Sequence, residues 1–125
     1  MKAAAMAQEQ RGWCERLAEA LIWLHSPAAK KESVGLLVAY FERWLNGLVY
    51  ELFFPGELRA RRLTLFDATA KFAPPDLSKI PAKQKLAALQ ELFAKAYDTN
   101  SELRAMLFDL SSVEEVRIIE EAGKT

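Results

Sequence analysis

A chain of 125 residues fits a single domain, and a hydrophobic share of 51% is ample for a core, which argues against disorder over most of its length. The formal net charge is zero, so nothing global points to nucleic acid, and five Gly with five Pro are too few for an all-β fold of closely spaced turns. Cys14 is the single cysteine, which excludes an internal disulfide, and no run of about 18 apolar residues offers a membrane span.

The chain opens as MKAAAMAQEQ, without the apolar stretch of a signal peptide. A cytoplasmic protein is expected, with 1–8 and 123–125 frayed. The first helix is predicted over 4–25. Trp13, Leu17, Leu21 and Leu24 share one face, and Glu15, Arg16 and Glu19 the other. Cys14 reads as a buried, inert thiol, and Trp23 falls near the polar edge. Ser26-Pro27 ends this helix, because proline disfavours helical geometry at the residue before it.

The second helix is predicted from Lys31 or Ser33 to Phe54. Val34, Val38, Phe41, Leu45, Leu48 and Leu52 form a heptad seam, which Leu37, Tyr40, Trp44, Val49 and Phe53 widen. Residues 40–58 read YFERWLNGLVYELFFPGEL, with Glu42, Arg43 and Glu51 as the charges before Pro55. So apolar a helix must be covered by the rest of the chain or by a partner. Tyr40, Trp44, Tyr50 and Phe54, with Trp23, are the candidate partner-binding anchors. Gly47 costs roughly 1 kcal/mol in mid-helix relative to Ala, which a close crossing or a kink would justify.

Pro55-Gly56 stops the second helix, and a short helix over 55–62 follows. Residues 64–72 read as another short helix, with a strand as the alternative. Ala73-Pro74-Pro75-Asp76 is a loop pinned by Leu77 and Ile80. A helix over 81–97 turns Leu86, Leu89, Leu92, Phe93 and Ala96 inward. Asn100 or Ser101 caps the next helix, which buries Leu103, Met106, Leu107 and Leu110. Ser112 with Glu115 fits a capping box for the last helix, whose buried side is Val113, Val116 and Ile119, with Ile118 beside them. The sum is an all-α single domain over 1–125. It has five to six helices, the first two a long antiparallel hairpin packed with shorter C-terminal helices.

Charge is uneven along the chain. Residues 59–85 carry seven Lys or Arg against two Asp, whereas 86–125 carry four basic against eight acidic residues. Arg59, Arg61, Arg62 and Lys83 are the candidate nucleic-acid contacts, with Lys79 and Lys85 nearby in sequence. Arg59 and Arg62 are expected on one helix face. No Tyr or Trp is interleaved among them, so base stacking is not indicated and DNA contact is not favoured. His25 at a helix C-terminus fits a dipole-stabilised cation. One His and one distant Cys cannot make a tetrahedral zinc site. Glu42 and Glu51 are nine positions apart, about 13.5 Å along a helix, too far to act as a pair. Glu51 is expected to be part-buried and to pair with the Arg59, Arg61 and Arg62 group. Glu114, Glu115, Glu120 and Glu121 read as a solvated face. No catalytic, cofactor-binding or metal residue is assigned, and a non-enzyme without cofactor is expected.

LVYELFFPGEL at 48–58 and VRIIE at 116–120 resemble the C-terminal helical part of type IIG restriction–modification enzymes, fusions of an N6-adenine DNA methyltransferase and an endonuclease. Leu48, Val49, Tyr50, Glu51 and Leu52 match one string of that region, and Val116, Ile118, Ile119 and Glu120 look like its ending. Residues between Arg59 and Ser111 would be an insertion. The Asn-Pro-Pro-Tyr loop and the glycine-rich cofactor loop of those enzymes are missing here, so no catalytic residue carries over. The resemblance implies a noncatalytic helical module of a bacterial phage-defence protein, bracing a target-recognition domain by protein–protein packing. The alternative, from another class, is an independent small protein that homodimerises through the heptad seam of the second helix and regulates or inhibits a partner protein. An enzyme acting through Glu51 is the least supported reading.

Overall fold

The apolar stretch at the middle of the chain becomes the axle of the molecule. The computed structural model describes residues 8–27 and 34–122, which form seven α-helices and two 3-10 turns, with no strand among them. The helices are α1 (Gln8–Leu24), α2 (Gly35–Phe53), α3 (Pro55–Ala60), α4 (Leu65–Phe72), α5 (Ala82–Ala96), α6 (Glu102–Phe108) and α7 (Glu114–Ala122). The 3-10 turns are Leu77–Lys79 and Leu110–Ser112. The expected extensions to residue 4 and to residues 31–33 lie outside the described residues. Gln8, expected to fray, is already helical.

Helix α2 packs against α1, α3, α4, α5 and α6. With neighbours on so many sides it buries a broad face rather than a seam. The buried stripe is Leu37, Tyr40, Phe41, Trp44, Gly47 and Leu48. Of the predicted seam, Phe41 and Leu48 lie in this stripe, while Val34, Val38, Leu45 and Leu52 flank it half-buried. Trp44 and Phe41 are fully enclosed, each contributing roughly 1.5–3 kcal/mol through burial. Gly47 sits at a close crossing. A Cβ there would lie 2.9 Å from Leu65 Cδ1, 3.0 Å from Leu107 Cδ2 and 3.2 Å from Leu110 Cδ1. Of the two reasons for a mid-helix glycine, the close crossing is therefore the operative one.

Seven helices form where five to six are expected, because both short segments expected over 55–62 and 64–72 are helical and the second is not a strand. Pro55 starts α3 at its first position, where a missing N–H costs nothing. α3 ends in a Schellman motif. The Leu63 N–H bonds the Leu58 carbonyl at 2.9 Å, and the Arg62 N–H bonds the Arg59 carbonyl at 2.9 Å. Arg62 adopts the left-handed conformation at φ 63°, normally given to glycine. Leu58 and Leu63, both buried, flank the motif. This turn takes Arg62 out of the helix, so the expected shared face of Arg59 and Arg62 does not form.

The C-terminal half holds the other departures. The Ser101 hydroxyl caps α6 by accepting the Arg104 N–H at 3.2 Å, as one of the two expected caps. The capping box at Ser112 is not made. Ser112 ends a 3-10 turn, its hydroxyl donates to the Asp109 carbonyl at 2.7 Å, and α7 begins two residues later. Val113, just before α7, and Val116 within it are buried, but α7 leaves Ile118 53% and Ile119 45% exposed. The buried expectation for Ile119 fails because α7 is covered on one side only, the side that carries Val116 and Glu120.

Candidate partner-binding groove

An open groove of about 380 Å³ lies where the start of α2 meets the end of α5 and α6. Leu36, Ala39, Tyr40 and Arg43 line one wall, and Tyr97, Leu107 and Phe108 the other. Leu36 is 59% and Phe108 57% exposed, although both are large apolar side chains. Helical spacing explains why Leu36 is there: Leu37, Tyr40, Phe41 and Trp44 turn inward, which leaves 36, 39 and 43 on the outer edge.

The floor of the groove is held by one buried hydrogen bond and a set of ring contacts. The Tyr40 hydroxyl donates to the Ala96 carbonyl at 2.8 Å, satisfying an orphan acceptor at the C-terminus of α5. Burial pushes the Tyr40 phenol well above its ordinary range. Tyr40 meets Tyr97 edge-on, with centroids 5.1 Å apart, and Phe93 at 5.6 Å. Tyr97 stacks on Phe93 and meets Phe108 edge-on at 6.5 Å.

Two guanidinium groups border this apolar surface in different states. Arg43 is engaged by Glu120 of α7, whose Oε2 also accepts from the Tyr50 hydroxyl at 3.4 Å. Arg104 lies 4.7 Å from the centroids of both Tyr97 and Phe108, a double cation–π contact. Its Nε is buried without a hydrogen-bond partner, and no carboxylate pairs with it among the described residues. Chemically the groove offers an apolar slot with one uncommitted cation beside it.

The anchors expected from sequence are distributed differently. Tyr40 (5% exposed) and Trp44 (0%) are core residues, so neither has surface to offer a partner beyond the edge of Tyr40 at the groove floor. Trp44 Nε1 donates to Thr69 Oγ1 at 2.8 Å, and Thr69 Oγ1 donates to the Leu65 carbonyl at 2.8 Å. Tyr50, Phe54 and Trp23 are half-buried against the core. Trp23 lines a separate cleft with Ile22 and Leu77. Sequence spacing alone does not single out Leu36, Tyr97, Arg104 or Phe108. The signals were an apolar residue on the polar side of α2, and an Arg and Phe four apart on α6.

Glu51 is half-buried as expected, but its partner is not an arginine. Its Oε1 accepts the Phe66 N–H at 2.9 Å, capping α4, whose own N-cap residue Thr64 makes no side-chain cap. Burial raises the Glu51 carboxyl above its ordinary range, against the opposing pull of the backbone amides of Phe66 and Leu65. Arg59, Arg61, Arg62 and Lys83 are all exposed, without an ion pair among the described residues. Cys14 is half-buried, and burial raises its thiol. Among the described residues no three His, Cys, Asp or Glu gather as metal ligands would, and no helix is long and apolar enough to cross a membrane. No protein family, curated protein or solved structure was found to match the chain.

Proposed function

We propose that this chain is a noncatalytic helical module that acts by packing on a protein, with the α2–α5–α6 groove as its docking surface. The observation that carries the reading is the combination there of exposed Leu36 and Phe108, an aromatic floor and the unpaired Arg104. Aromatic and arginine side chains of this kind dominate the energetics of many protein interfaces.

In this reading the setting is the one the type IIG resemblance implies: a bacterial, cytoplasmic phage-defence system in which the module braces a larger DNA-modifying polypeptide. Its support is that the two strings bearing the resemblance are in contact, Tyr50 of one touching Glu120 of the other. The segment between them contributes Leu65, Leu89, Leu103 and Leu107 to the core, so as an insertion it would be integral to the module. The exposed Arg59, Arg61 and Arg62 would lie free for phosphate contact in support of target recognition.

The test is retention of cell proteins on the tagged chain, wild type against Leu36→Glu/Phe108→Glu. Both sites are exposed, so the fold should survive, as circular dichroism would verify. Retention of a DNA methyltransferase–endonuclease by the wild type, and its loss in the variant, is the expected result. Identical retention by both proteins refutes the groove as the docking surface. Unchanged DNA retention at low salt after charge reversal at Arg59, Arg61 and Arg62 removes direct DNA contact from the reading.

The second reading, a self-associating regulator, is favoured by a different observation: α7 presents an exposed Ile118–Ile119 pair.

A further inference from the structure

One surface of the chain is itself complementary to the groove. α7 is an acidic amphipathic helix used on one side only. Val113, Val116 and Glu120 face α2 and the preceding turn, where Glu120 holds Arg43. At 3.6 residues per turn the opposite face carries Glu114, Glu115, Ile118 and Ile119. Glu114 and Glu115 have no ion-pair partner among the described residues. That outer face therefore combines two exposed branched aliphatic side chains with two uncommitted carboxylates. The groove combines an apolar slot with an uncommitted guanidinium. The two surfaces adjoin on the molecule, because Arg43 lines the groove and is bonded to α7. Adjoining complementary surfaces suit a two-fold axis, in which each copy gives its helix and receives its partner's.

We infer that the groove receives α7 of a second copy of this chain. Ile118 and Ile119 enter between Leu36 and Phe108, and Glu114 or Glu115 pairs with Arg104, reciprocally in a two-fold dimer. This rests on the reading of the groove as a docking surface and gives the free chain an occupant there, one that a larger polypeptide docking at the same groove would displace. Two features select α7 over the other exposed apolar groups, Ile22 and Phe53: it adjoins the groove through Arg43, and it presents a pair of branched aliphatic side chains beside its carboxylates, whereas Ile22, although Glu15 and Glu19 lie next to it on α1, is a single aliphatic side chain.

The experiment is light scattering after gel filtration on the full chain, over a hundredfold range of concentration. A monomer–dimer equilibrium is expected for the wild type. Ile118→Lys/Ile119→Lys, at two exposed positions, should raise the dissociation constant roughly tenfold or more. Arg104→Glu should weaken association by a similar factor, and adding Glu114→Arg/Glu115→Arg to that chain should recover most of it, since the pairs are rebuilt with signs exchanged. Should the Arg104 variant fail to fold, the isoleucine pair alone decides. A wild type that stays monomeric throughout, or a dimer indifferent to the isoleucine pair, overturns the inference. If the wild type is monomeric yet Leu36→Glu/Phe108→Glu abolishes retention of another protein, the inference falls and the docking reading stands. If retention is also unchanged, both fall.

Discussion

The Glu51 carboxylate reaches from the last turn of α2 to cap the N-terminus of α4, accepting the Phe66 N–H at 2.9 Å. An acid that sequence pairs with arginines is spent instead on a backbone amide. The physical reason is proximity: α4 packs on α2, its first amides lack intrahelical acceptors, and its own Thr64 supplies none.

This arrangement has a pH signature. The folded carboxyl of Glu51 is raised, mainly by burial. The native state therefore holds its proton longer than the unfolded state. Stability attributable to Glu51 is greatest below the ordinary carboxylate range and falls as pH rises through the raised value. Glu51→Gln keeps an acceptor for Phe66 and should abolish that loss, whereas Glu51→Ala should cost about 1–2 kcal/mol at neutral pH. Urea denaturation at several pH values measures both. A wild type and Gln variant with parallel pH dependence would refute the assignment.

Gly47→Ala sets helix propensity against packing. Propensity alone favours Ala by roughly 1 kcal/mol. The new methyl would press on the tips of Leu65, Leu107 and Leu110, which are fully buried and have little room to turn away. The net effect is expected to be destabilising by about 1–3 kcal/mol, read as a lower denaturation midpoint. A stabilised variant would show that the crossing is looser than described.

Trp44 and Thr69 should be energetically coupled. Thr69→Val strands the buried indole N–H and should cost roughly 1–3 kcal/mol. In a Trp44→Phe background that N–H is gone, so the same change should cost distinctly less. A double-mutant cycle gives the difference. Additive effects would mean the hydrogen bond contributes nothing.

Arg62 occupies a position suited to glycine. Arg62→Gly relieves the left-handed strain at φ 63° and should stabilise the fold by about 1 kcal/mol or less, visible as a raised melting temperature. Because Arg62 is also a candidate phosphate contact, the same variant separates the two roles. Stability should rise whether or not DNA retention changes.

The sequence by itself determined the all-helical class, the placement of the breaks and most inward faces. These follow from local rules: proline at 27 and 55 interrupts helices, Ser101 caps one, and apolar spacing along 82–96 selects Leu89, Leu92 and Ala96. Tertiary structure decided which of the seam residues and of those widening it on α2 are covered, because that depends on how many helices surround it. It consumed Trp44 and most of Tyr40 in the core and redirected Glu51 to an amide. It left Leu36, Phe108, Ile118 and Ile119 outside. The groove itself joins residues more than sixty positions apart. Its character rests on distances between Arg104, Tyr97, Phe108 and α2, and local spacing, which reports only neighbours within a turn or two, carries no information about them.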